Sequence, residues 1–264
     1  MQCNDLQDLV LAGVRWELGE YPTVSLGTVA PTPTPPAEDS VAAAAAIVPP
    51  TTMRTPTAIV PPISPIIPMS LETARAMASR PTDMHALVRM IAEFNHPLRS
   101  GATSTVLPHV APNPNGVVII TDIPSGEDDA SGQILSGAAG ELLNKMIGAI
   151  GMSRDNVSLL PLIFWRTPGG RTPTRMEMDL CRPFVNRALE LLQPRIILTL
   201  GTLAAAEIAG ASLPRGHGVM CQTPGGVQCM PIFHPNYLIL KPTAKRDAWT
   251  ALQTIENLLK NPQK

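Results

Sequence analysis

Apolar positions along this chain change period several times, and each change marks an element. Leu142, Leu143, Met146, Ile147 and Ile150 recur at helical spacing and predict a helix over residues 138–150. Met178, Cys181, Val185, Leu189 and Leu192 do the same behind Thr174, whose hydroxyl suits a helix N-cap, so a helix is expected to run to residue 192. Ser70 stands in the same way before a helix ending near residue 78. Further helices are expected over 84–94 and 245–259. Between them lie continuous apolar runs at 117–120, 157–164, 196–200 and 227–233. They are short and do not alternate with polar residues, which predicts strands buried on both faces. Gly201 ends the third run, and a helix is expected from Thr202. This alternation of strands and helices predicts an α/β fold, a three-layer α/β/α domain around a central, mostly parallel sheet.

Upstream of residue 70 the pattern is different. Residues 1–20 carry Leu6, Leu9, Val10, Val14, Trp16 and Leu18, a short amphipathic helix candidate. Residues 21–69 are rich in proline and alanine and read as a disordered, semi-extended linker, because proline removes backbone donors. The globular domain is expected over 70–264. The formal net charge of −1 gives no bulk attraction to nucleic acid, so such binding would need local patches. Cys3, Cys181, Cys221 and Cys229 form no CxxC pair, which fits reduced thiols in a cytoplasmic protein better than a disulfide framework. No apolar run is long enough to span a membrane, no signal peptide is expected, and a monomer is expected.

Two loops stand out for chemistry, each directly after a predicted strand. The first runs from Thr121 to Asp129 and holds Asp122, Glu127, Asp128 and Asp129. The second opens with His234-Pro235. Residues in such loops sit at the carboxyl edge of the sheet, where open α/β sheets bind ligands. The acids could position a water, bind a metal, or simply cap a helix. His234 could be catalytic or a satisfied structural histidine. Gly169-Gly170-Arg171 could approach a phosphate or only connect a strand to a helix. The apolar segment Tyr237-Leu238-Ile239-Leu240 reads as a loop that could wedge into a base stack or pack in the core. Lys241, Lys245 and Arg246 make a small basic patch suited to backbone phosphates, or a solvated helix face. No His/Cys cluster suggests a zinc site.

Taken in order, these segments resemble the family 4 uracil-DNA glycosylases. The GExPGxxED loop of that family aligns with Thr121 to Asp129, and its GxPFVGxxGxLL segment with Gly132 to Leu143. Its CRPPGNRxP segment aligns with Trp165 to Pro173, its PxxIxxLG strand with Pro194 to Gly201, and its HPxYLL element with His234 to Ile239. Lys245-Arg246-Asp247-Ala248-Trp249 matches a downstream KRxAW. The resemblance covers about residues 84–260. It implies hydrolysis of the N-glycosidic bond of uracil or another deaminated base in DNA, as in base excision repair. His234 would donate to the leaving base and Asp122 would orient water. Ile123, Pro124, Leu135 and Pro161 would surround the base. Arg171, Tyr237, Leu238, Lys241, Lys245 and Arg246 would contact DNA, the expected partner. A non-catalytic nucleic-acid-binding member of the same fold is the alternative.

The departures are specific. The aromatic residue expected against the base is Leu135, and the asparagine expected to read its edge falls at Pro161, which has no side-chain amide. The loop acid is Asp122 rather than glutamate, and both loop glycines are replaced, by Thr121 and Ser125. The family's iron–sulfur ligand positions fall at Glu93, His96, Trp165 and Cys181. A four-iron cluster needs four thiolates, so no cofactor and no metal are expected.

Overall fold

The computed structural model describes residues 70–261, so the expected helix over 1–20 and the linker over 21–69 lie outside the described residues. Two helices come first among the described residues, α1 (Leu71–Ala78) and α2 (Met84–Glu93). The Ser70 side chain accepts the Thr73 N–H at 3.0 Å, and Asp83 accepts the Ala86 N–H at 2.8 Å. Each cap satisfies a backbone donor that the helix itself leaves free. Strand β1 (Val117–Thr121) is followed by α3 (Gly126–Ser131) and α4 (Gly137–Gly148). Next come β2 (Val157–Pro161), α5 (Arg175–Leu192), β3 (Ile196–Leu200) and α6 (Thr202–Ala209). A two-residue strand β4 (Cys221–Gln222) precedes β5 (Gln228–Ile232), and α7 (Pro235–Leu240) and α8 (Lys245–Lys260) close the domain.

The strands form one sheet in the order β2-β1-β3-β5-β4. All neighbours are parallel except the β4–β5 pair. Every residue of β1, β2 and β3 is buried, as expected for strands covered on both faces. Side chains alternate between two cores. Val117, Ile119, Leu198 and Ile232 pack with Leu143 and Ile147 of α4 and with Leu252 and Ile255 of α8. Val118, Ile120 and Ile197 pack on the other face with Leu87 and Ile91 of α2 and with Phe184 and Val185 of α5. Helix, sheet and helix therefore make three layers, as the periodicity predicts.

Some boundaries differ from expectation. Strand β2 stops at Pro161 rather than near residue 164, because its partner β1 itself ends at Thr121, in register with Pro161. The run from Leu162 to Trp165 stays buried but serves as a packed connection. Strand β5 carries Pro231, tolerated because β4 pairs only with Gln228 and Cys229, and beyond them the Gly218 N–H meets the Pro231 carbonyl at 2.8 Å, a bond that needs no proline N–H. The segment expected as an apolar loop after His234 is the short helix α7. Pro235 stands at its first turn, and the His234 side chain accepts the Asn236 N–H.

Candidate active site

Strands β1, β3 and β5 run parallel, so the residues that follow them share the carboxyl edge of the sheet. Asp122 follows β1, Gly201 follows β3, and Phe233 and His234 follow β5. Asp122 and His234 line one cavity of about 230 Å³, together with Gly201, Thr202, Phe233 and Tyr237. Leu213 and Pro214, from the connection between α6 and β4, complete its wall. A cavity of roughly 150 Å³ already admits benzene, so this one can hold a single six-membered ring. A larger apolar groove of about 910 Å³ lies between α5, α6 and the β4–β5 hairpin. It contains no histidine and neither candidate catalytic residue, so its size does not make it the candidate site.

Asp122 is held at the start of α6. Its Oδ1 accepts the Ala204 N–H at 2.7 Å. Gly201 has φ 110°, and a Cβ there would lie 2.2 Å from Asp122 Oδ2, so only glycine lets the carboxylate sit in this place. Burial raises the carboxyl above its ordinary value, opposed by the N–H groups of Ala204, Leu203 and Thr202.

His234 caps α7 and has both ring nitrogens engaged. Nδ1 accepts the Asn236 N–H at 3.2 Å, and Nε2 lies 3.1 Å from Thr121 Oγ1. An acceptor Nδ1 places the ring proton on Nε2. Burial pushes the imidazole down to about 4, against a smaller opposing pull from Asp128. The ring is thus a neutral donor at neutral pH. Phe233 beside it stacks on His217 at 4.3 Å and tilts against Tyr237 at 4.4 Å. His217 Nδ1 accepts the Phe233 N–H at 3.1 Å.

The remaining sequence-predicted residues are placed as follows. Ile123 is half-buried, while Pro124, Leu135 and Pro161 are buried, and none of the four lines the Asp122–His234 cavity. Leu135 has φ 49° and belongs to the core with Ile119 and Leu143. Its carbonyl accepts Arg154 Nη2 at 2.6 Å. Arg171 makes a bidentate pair with Glu177, at 2.6 and 2.8 Å, and Glu177 closes the capping box of α5 with Thr174. That arginine holds the Glu177 carboxyl down at about 2. Leu238 is fully buried, whereas Ile239 and Leu240 are 40 % and 80 % exposed and make the outward apolar tip of α7. The Lys241 ammonium lies 5.4 Å from the centre of the Tyr237 ring, and Lys245 and Arg246 are exposed at the start of α8. Sequence reasoning missed Gly201, Thr202, Leu213, Pro214 and Phe233 as cavity residues. Gly201 and Phe233 carried a signal, each at the end of an apolar run expected as a strand.

The positions where the resembled family holds its iron–sulfur ligands do not suit a cluster here. Glu93 is exposed. The His96 and Trp165 rings stack at 4.9 Å with their planes 7° apart, both fully enclosed. Trp165 Nε1 donates to Thr105 Oγ1 at 2.9 Å. His96 Nδ1 accepts the Leu98 N–H, and Nε2 bonds the Glu177 carbonyl. Burial pushes the Cys181 thiol up to about 12. Aromatic packing thus fills the space that thiolates and iron would need, and the one remaining thiol is protonated.

Residues 107–253, more than half of the chain, match the uracil DNA glycosylase superfamily. A type-4 uracil-DNA glycosylase of Pyrobaculum aerophilum is 34 % identical over 93 residues, 35 % of this chain and 47 % of that protein. Those of Thermotoga maritima and Archaeoglobus fulgidus are 30 % and 29 % identical over 126 and 140 residues, 47 % and 50 % of this chain. The chain spans 66 % and 70 % of their lengths. The layered fold, the cavity at its strand ends and these matches make the chain a member of the uracil DNA glycosylase superfamily, similar to its type-4 branch.

Proposed function

We propose that this protein hydrolyses the N-glycosidic bond of uracil or another deaminated base in DNA. The observation that carries this reading is the shared, ring-sized cavity of Asp122 and His234 at the carboxyl edge of the sheet. Bond cleavage leaves negative charge on the base and positive charge on the sugar. In this reading the neutral His234 donates from Nε2 to a base oxygen as charge develops there, which a preorganised donor in a dry site does effectively. The Asp122 carboxylate orients a water and faces the cationic sugar. Phe233 and Tyr237 supply aromatic walls. The exposed tip Ile239–Leu240 stands for the base in the stack, offsetting part of the few kcal/mol that extrusion costs. Lys241, Lys245 and Arg246 meet backbone phosphates. No step needs a cluster, and we read the chain as lacking one because Trp165 and His96 pack where it would sit.

A second reading, a DNA-binding member without cleavage, is favoured by one observation: both nitrogens of His234 are already bonded within the protein. The deciding experiment incubates the protein with single-stranded and duplex oligonucleotides bearing one uracil, hypoxanthine or xanthine. Abasic-site formation that disappears in His234→Ala supports the first reading. Binding without cleavage of any base supports the second, and neither binding nor cleavage removes both.

A further inference from the structure

We propose that Thr121 sets how strongly His234 grips a base, by holding the histidine's ring N–H within the protein and competing with the base oxygen for it. The inference rests on the reading of His234 as the donor to the base. The Asn236 N–H occupies Nδ1, so the neutral ring has one proton to give, on Nε2, and Thr121 Oγ1 accepts it at 3.1 Å. The threonine is firmly placed. It is the last residue of β1, in register with Pro161 on one side and Leu200 on the other. Its carbonyl accepts the Leu162 N–H at 2.9 Å, which pins the backbone behind the hydroxyl. At 4 % exposure the threonine itself is almost closed to solvent.

The energetic consequence follows from what a base would replace. A buried donor without a partner gains the whole value of a new hydrogen bond. A donor already satisfied gains only the difference between two bonds of similar kind. His234 is in the second position. The strand-end threonine therefore lowers the advantage of any base oxygen, and it selects for ligands whose oxygen becomes strongly anionic, since these accept better than a neutral hydroxyl.

The test uses the full chain and two variants. Thr121→Val keeps the side-chain shape and removes the acceptor, and Thr121→Ser keeps the acceptor. Three quantities are read: kcat/KM for abasic-site formation on a uracil oligonucleotide, solvent exchange of the His234 ring proton by NMR, and the Kd of free uracil from the His234 ring resonances. Thr121→Val is expected to raise kcat/KM about tenfold, tighten uracil by a similar factor and speed ring-proton exchange, with Thr121→Ser returning all three toward wild type. A fall in kcat/KM in Thr121→Val overturns the proposal and makes the hydroxyl part of the donor machinery. Unchanged ring-proton exchange also overturns it. Should wild type and variants cleave no base at all, the glycosylase reading falls by itself. The uracil titration then decides on Thr121: tighter binding to Thr121→Val upholds the competition, and equal or weaker binding ends it.

Discussion

Two ionisable side chains face one cavity, and their environments shift them in ways that can be separated by pH. Burial holds His234 near 4, below its ordinary 6.5. Between those values the unfolded chain binds a proton that the folded chain refuses. Stability is therefore full above pH 6.5 and declines as pH falls toward 4, by an amount on the order of 3 kcal/mol. His234→Asn, which can still cap α7, should remove most of that slope in urea titrations at pH 7 and pH 4. Asp122 has the opposite sign. Its carboxyl is raised, so its contribution is present below the ordinary value and lost as pH rises through the raised one. Asp122→Asn should keep the cap on α6 and leave folding intact or strengthened. If Asp122 orients water, cleavage should drop by about a hundredfold or more in single-turnover assays.

At the scale of elements, α7 and the aromatic layer beside α5 carry distinct tasks. Helix α7 buries Leu238 in the core and turns Leu240 outward at 80 % exposure. Leu240→Ala should leave the thermal midpoint unchanged while slowing cleavage of duplex more than of single-stranded substrate, because only the duplex requires unstacking and unpairing. Equal loss on both substrates would assign α7 some other role. Trp165 is fully enclosed between His96, Phe94 and Phe164. Trp165→Ala should cost about 3–5 kcal/mol in chemical denaturation, the range for deleting a large buried aromatic side chain.

For the whole molecule, aromatic packing ties the chain around residues 94–96 to the connection after β2 and to α5. Protein purified without oxygen should contain far less than one iron per chain, and a strong chelator should leave its denaturation curve in place. A chelator-sensitive curve would count against this account. Much of this architecture was legible beforehand. Apolar patterning and cap residues predicted α1, α4, α5 and β3 within two residues at each end, and the three layers followed from strands without alternation. The strand end at Pro161 was not legible. It depends on which backbone groups find partners in the neighbouring strand, and an apolar run looks the same inside a ladder and just past it.

The chain's own pattern was enough to name Asp122 and His234, because residues that end apolar strands come to the same sheet edge whatever the side chains elsewhere. It was also enough to flag Thr121 as a departure from the loop it resembles. It could not say that Thr121 bonds His234 across 113 positions of chain, nor that Arg171 is engaged by Glu177. The place of Leu135 in the core with Ile119 and Leu143 was equally hidden. Those outcomes arise from pairwise contacts between distant segments, selected when buried donors and apolar surface must all find partners at once. Local periodicity records which face a residue takes, and folding in three dimensions determines what it meets there.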